Sequence, residues 1–164
     1  MKSAIIYDSL TGNTEQLAQA IKKEINSTYY EKVTNKNQLD ADIYYVGTPV
    51  IKGTCTEKIR NFLETLENKK IFLFVTAGYG GSEEYYDKLK SRILENIPKS
   101  NTVIGTFFCQ GKMPDTVKER YVKLIKENPE DQNLKVSLDN FEDAKTHPNK
   151  EDLTNLINAI KKSI

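Results

Sequence analysis

Ser3-Ala4-Ile5-Ile6-Tyr7-Asp8-Ser9-Leu10-Thr11-Gly12-Asn13-Thr14-Glu15-Gln16-Leu17-Ala18 opens the chain with a short apolar run, a small polar loop and the start of a helical period. Ser3 to Tyr7 reads as a buried strand. Thr14 to Ile25 reads as a helix with Leu17, Ala18, Ile21 and Ile25 on one stripe. The loop between them has the makings of an anion site. Gly12 permits a tight turn and close backbone approach. The first N–H groups of a helix lack intrahelical partners and can face an anion. Ser9, Thr11 and Thr14 add hydroxyls, and Asn13 adds an amide that could instead cap the helix. With no lysine or arginine in the loop, neutral dipoles must do most of the holding. The competing reading is a plain helix start with no ligand.

Two better-known loops are excluded. No Gly-Lys-Ser/Thr follows, so this is not a nucleotide P-loop, and no G-x-G-x-x-G is present for a dinucleotide. A phosphoacceptor receiver domain shares the strand–loop–helix start, and Asp8 follows the first strand. After the third strand, however, Gly47-Thr48-Pro49 stands where that reading needs an aspartate.

Working outward, apolar runs and helical periods alternate. Strands are expected near Thr28 to Thr34, at Ile43 to Val46, at Ile71 to Val75 and at Thr102 to Phe108. Helices are expected from Thr56 to Leu66, Glu83 to Asn96, Asp115 to Lys126 and Glu151 to Lys162. Asn128 to Lys145 is polar and mixed, and is read as irregular. Continuous apolar strands spaced by helices indicate an α/β fold: a doubly wound, five-stranded parallel sheet with helices on both faces. Such folds bind ligands beyond the carboxyl ends of the strands, where the winding reverses. The loops after strands one, three and four are therefore the place for a site.

Composition narrows the function. The 164 residues fit one domain, 1–164. Twenty-four basic and 23 acidic residues nearly cancel, and no basic stripe interleaved with aromatics is present, so no nucleic-acid partner is expected. No apolar stretch approaches the roughly 20 residues that span a bilayer, and no targeting segment is visible. A cytoplasmic protein without a membrane partner is expected. Cys55, Cys109 and His147 are too few and too scattered for a structural metal site, so no metal is expected. His147, before Pro148 at a helix entrance, reads as structural, and both cysteines read as packed thiols.

With its Ser/Thr-x-Thr-Gly-x-Thr pattern at Ser9 to Thr14, between the right elements, the chain resembles the flavodoxin family. The likeness in element order extends over nearly the whole chain. It implies a sheet in the order 2-1-3-4-5, FMN as cofactor and electron transfer in one-electron steps. FMN would then contact Ser9, Leu10, Thr11, Gly12, Asn13 and Thr14 through its phosphate. It also implies that Thr48, Pro49, Val50, Ile51, Lys52 and Gly53 flank the flavin. The protein has no Trp, so Val50 or Ile51 must cover the ring face where the family often has a bulky group. Gly53 is the counterpart of a flexible peptide that meets the flavin N5, and Lys52 brings a cation into the same loop. Ala77, Gly78, Tyr79, Gly80 and Gly81 form the third loop, where Tyr79 and Tyr85 compete to stack on the ring and Tyr79 is favoured. Cys109-Gln110-Gly111-Lys112-Met113 is similar to a segment in a subgroup of flavodoxin-like proteins. On that likeness Gln110 and Lys112 could line the flavin edge or meet a partner, but the residues read best as a glycine turn with a solvated lysine.

The function expected is that of an electron carrier, a monomer working between two redox partner proteins, a reductase and an acceptor enzyme. No side chain is assigned a catalytic role, because the cofactor carries the chemistry. Two alternatives stay open: an FMN-dependent NAD(P)H:quinone-type oxidoreductase of the same fold, and a binding module without flavin.

Overall fold

The computed structural model describes residues 1–80 and 82–164. Strand β1 (Ser3–Tyr7) lies between β2 (Tyr29–Lys32) and β3 (Ile43–Pro49), with β4 (Lys70–Ala77) and β5 (Thr102–Gln110) beyond. All pairings are parallel and the order is β2-β1-β3-β4-β5, the flavodoxin-like arrangement. Because successive side chains on a strand face opposite ways, each strand feeds two cores. Ala4, Ile6, Tyr44, Val46, Ile71, Leu73 and Val75 pack against helices α2 (Glu57–Glu64) and α3 (Glu83–Leu94). On the other face, Ile5, Tyr7, Tyr45, Phe72 and Phe74 meet helices α1 (Asn13–Glu24) and α6 (Lys150–Ser163). Burial on both faces explains why β1, β3 and β4 read as unbroken apolar runs.

The helices dock through narrow stripes: Leu17, Ala18 and Ile21 on α1, Ile59, Phe62 and Leu63 on α2, and Leu156 and Ile160 on α6. Each such buried side chain of Val, Leu or Ile size contributes about 1.5–3 kcal/mol. Gly47 is a packing requirement, since a Cβ there would stand 2.2 Å from the Phe74 ring across the strand pair.

Two expectations are corrected. Asn128 to Lys145 is not irregular: after α4 (Asp115–Glu127), residues Gln132–Ala144 form helix α5, started by Asp131 Oδ1, which accepts from the N–H groups of Asn133 and Leu134. Lys118 near the start of α4 pairs with Glu142 near the end of α5 at 2.8 Å, so the two run antiparallel as a hairpin. Strand β5 also runs two residues past Phe108, because Cys109 and Gln110 pair in register with Thr76 and Ala77. No helix among the described residues is long and apolar enough to cross a membrane.

Candidate functional site

At the carboxyl end of β1 the chain turns through Asp8 to Gly12 into α1. Gly12 takes the helix-capping position with φ 95°, a left-handed conformation that favours glycine. A helix start is ordinarily closed by a Ser, Thr, Asp or Asn side chain. Side chains of Thr56, Ser82, Asp131 and Asn149 do this for α2, α3, α5 and α6, whereas the capping positions of α1 (Gly12) and α4 (Pro114) offer none. Asn13, one of the candidates for that task, instead sends its amide to the Lys112 carbonyl at 2.8 Å and to Thr11 Oγ1 at 3.3 Å. Ser9 Oγ accepts the N–H groups of Gly12 (3.1 Å) and Glu15 (3.3 Å), and the buried Asp8 carboxylate accepts that of Ser9 (3.0 Å). Among the described residues, no protein acceptor meets the main-chain N–H groups of Leu10, Thr11, Asn13 and Thr14. Four donors of one loop are thus without a protein partner among the described residues. The hydroxyls of Ser9 and Thr11 accept these bonds and keep their own protons for donation. Thr14 is fully buried and shares a 2.8 Å hydroxyl–hydroxyl bond with Thr76 at the end of β4.

The loop after β3 is a compact turn. Ile51 and Thr54 exchange both backbone hydrogen bonds, at 2.8 and 3.1 Å, around Lys52 and Gly53. Both central residues have positive φ, 51° and 80°, as a type I′ turn requires. The Gly53 carbonyl accepts from Arg92 Nη1 at 3.3 Å, so that peptide is tied to α3. Thr48 is buried and its hydroxyl works internally, donating to the Pro49 carbonyl (2.8 Å) and accepting from the Thr56 N–H (3.2 Å).

After β4 the loop is held from α5. Asn140 Nδ2 donates to the Gly78 carbonyl at 3.0 Å, and the Tyr79 hydroxyl meets Ser137 Oγ. Tyr85 lies in the first turn of α3, its N–H taken by Ser82 Oγ at 3.1 Å. Gly80 lies close to Tyr86 and Gln110. Gly81 lies outside the described residues.

A cleft of about 310 Å³ joins these loops. It is lined from the first by Leu10, Thr11 and Asn13, from the second by Pro49, Val50 and Ile51, and from the third by Ala77 and Gly78. The volume lies within the range of about 300–1,000 Å³ that small-molecule sites occupy. Of the sequence-expected residues, Lys52, Gly53, Tyr79, Gly80 and Tyr85 do not line this cleft, and neither do Ser9, Gly12, Thr14 and Thr48.

The fourth wall comes from the segment after β5, for which lining the flavin edge is the less favoured reading of the sequence. Gly111, Lys112, Met113 and Pro114 complete the lining together with Thr76. Lys112 is exposed, as a solvated lysine would be, and the segment as a whole also lines the cleft. A Cβ on Gly111 would stand 2.5 Å from Asn13 Nδ2, and one on Gly78 would stand 2.7 Å from the Met113 side chain. The Lys112 N–H donates to the His147 carbonyl at 2.8 Å, and His147 Nδ1 lies 2.6 Å from Asp152 Oδ2, which gives His147 the structural place expected of it. A neighbouring cleft of about 430 Å³ shares Thr11, Asn13 and Lys112. The signal in the sequence was position: this segment leaves the carboxyl end of β5, beside the third loop.

Both cysteines are buried, and burial raises both thiols above their ordinary range. Neither has the character of a nucleophile.

A family model described as a flavodoxin domain matches residues 4–161. The chain is 34% identical over 161 residues to the flavodoxin-like domain-containing protein BilS of Clostridioides difficile (strain CD3), covering 93% of this chain and 90% of that one. It is 33% identical over 172 residues to BilS of Clostridium symbiosum (strain WAL-14163), with the same coverage. Among solved structures it is similar to a flavoprotein from Lactobacillus acidophilus NCFM in complex with FMN, with a TM-score of 0.55 and 21% identity over 65% of this chain and 92% of that one. That last likeness is one of fold.

Proposed function

The chain belongs to the flavodoxin domain family, and from that premise we propose that it binds FMN in the cleft at the carboxyl edge of the sheet and carries electrons between a reductase and an acceptor enzyme. The observation that carries this reading is the start of α1, where Gly12 offers no capping side chain and four main-chain N–H groups have no protein partner among the described residues, beside a cleft of suitable size. Asn13 is half-buried and Thr14 buried, and such donors are rarely left open in a folded protein, so an acceptor-rich ligand is the natural complement. The N–H groups of Leu10, Thr11, Asn13 and Thr14 and the hydroxyls of Ser9 and Thr11 would hold the phosphate. Val50, Ile51 and Met113 supply apolar surface for a flat ring and keep water from it. FMN, when bound, supplies the redox chemistry; the chain binds, orients and shields it.

The test begins with the absorbance spectrum of the purified protein and with FMN and riboflavin titrations of the flavin-free form. FMN binds and riboflavin binds much more weakly, since riboflavin has no phosphate for the loop. In Thr11→Val an exposed donor worth about 1.5–3 kcal/mol to a charged group is lost, so FMN affinity falls about tenfold or more while riboflavin affinity holds. Equal affinity for the two flavins, or an unchanged Thr11→Val, removes the phosphate assignment. Rapid NAD(P)H oxidation by the isolated protein moves the reading from carrier to reductase.

A further inference from the structure

Ser137 and Asn140 lie three residues apart on α5, hence on one face of it. Together they grip two consecutive residues of the loop after β4: Asn140 Nδ2 donates to the Gly78 carbonyl at 3.0 Å, and Ser137 Oγ meets the Tyr79 hydroxyl. The orientation of the Asn140 amide is fixed from its other side. Gln110 Nε2, at the end of β5, donates to Asn140 Oδ1 at 3.2 Å. A flipped amide would set donor against donor at Gln110 and acceptor against acceptor at Gly78. Gln110 is itself in register with Ala77, the residue just before Gly78. One carboxamide therefore ties the ends of β4 and β5 to a helix that belongs to neither face of the sheet core.

We infer that Asn140 is a positioning residue, which clamps the Gly78 peptide through α5 and so presets the wall of the flavin cleft formed by the third loop. Gly78 lines that cleft and packs against Met113, which lines it too. The reason a clamp is needed is entropic. Gly78 and Gly80 give this loop more conformational freedom than any other residue type would, and an untethered loop must be ordered when ligand binds. The inference rests on the reading that the cleft takes FMN, and its test separates the two.

The variant is Asn140→Asp, nearly the same in shape. Its carboxylate still accepts from Gln110 but presents an oxygen to the Gly78 carbonyl. Lys135→Gln, on the exposed side of α5, makes the same change in net charge and serves as the control. Amide hydrogen exchange of Gly78 to Gly80 is read in the flavin-free protein, where FMN plays no part. FMN and riboflavin affinities and the visible circular dichroism of the bound flavin are read in the loaded protein. In Asn140→Asp the loop amides exchange about tenfold faster. FMN and riboflavin affinities fall by the same factor, because the phosphate loop is untouched, and the flavin dichroism changes. Should that variant fail to fold, Asn140→Ala and Gln110→Leu carry the same comparison. Exchange and affinity within twofold of wild type overturn the clamp, and faster exchange with unchanged affinity overturns its link to the cleft. If the wild type binds no flavin, the proposed function fails, and the exchange result alone still decides the clamp.

Discussion

Thr11 and Thr14 look equivalent in sequence, two hydroxyls flanking Gly12-Asn13 in one loop, and burial separates them. Thr11 is exposed, its hydroxyl proton has no protein acceptor among the described residues, and the 3.3 Å bond it accepts from Asn13 Nδ2 lies at the surface, so its removal costs ligand affinity and little stability. Thr14 is 1% exposed, and its hydroxyl is the partner of Thr76, itself 3% exposed. In Thr14→Val the shape is kept but the Thr76 hydroxyl loses its bond in a buried place. Leaving such a group unsatisfied costs about 1–3 kcal/mol. Urea unfolding of the flavin-free protein therefore gives a midpoint clearly below wild type for Thr14→Val and an unchanged one for Thr11→Val, with equal slopes. Equal stability of the two variants would mean that the Thr14–Thr76 bond contributes nothing. That distinction was not legible in the sequence, because it depends on β4 ending beside α1, a contact between residues far apart in the chain.

At the scale of elements, the α4–α5 hairpin is the part the sequence concealed. Leu134, Leu138 and Phe141 do fall at helical spacing behind an Asp131 start, but only Phe141 and Ala144 are buried on α5 and nothing is buried on α4. A hairpin that packs on itself and on loops needs only a thin apolar stripe, and a thin stripe in a charged segment reads as irregular. The central strands were legible for the opposite reason, since both their faces are covered. What the hairpin lacks in apolar burial it makes up partly in charge. Glu142 bonds Lys118 of α4 and Lys145, both at 2.8 Å. Hydrogen bonds from these two ammonium groups hold the Glu142 carboxyl below its ordinary value, and the bond to Glu142 raises Lys118. A carboxyl depressed in the folded state stabilises it above the unfolded pKa, near 4.5, and that contribution is lost as pH falls through the folded value. Glu142→Gln is thus less stable than wild type at pH 7, and the gap closes in acid. Amide exchange along Gln132 to Ala144, compared at pH 7 and at pH 3 after correction for intrinsic rates, shows this. A gap that persists at pH 3 assigns the effect to packing instead.

For the molecule as a whole, net charge of +1 says little, and the placement of single lysines says more. The sequence put Lys52 beside the ring because it sits in the loop after strand three. In the folded chain Lys52 occupies the exposed tip of the Ile51–Thr54 turn and lines neither cleft at the carboxyl edge. Lys112 is exposed, as read from sequence, and also lines both clefts where they meet at Thr11 and Asn13. With Lys145 on the second cleft, it brings positive charge to the edge of a phosphate loop that has none of its own. A cation at that place favours both the bound phosphate and the anionic reduced flavin, since opposite charges attract appreciably at the intermediate dielectric of a protein surface. Lys112→Glu therefore weakens FMN binding and makes the second one-electron reduction more negative, by at least about 30 mV, where about 59 mV is tenfold in a one-electron equilibrium. Lys52→Glu shifts both in the same direction but by less. Raising the salt shrinks both effects, because charges at an exposed edge are screened over about 10 Å at 0.1 M. Potentiometric titration of the two variants side by side decides the matter. A larger shift from Lys52→Glu would place the ring against the turn after β3 and away from Gly111 to Pro114.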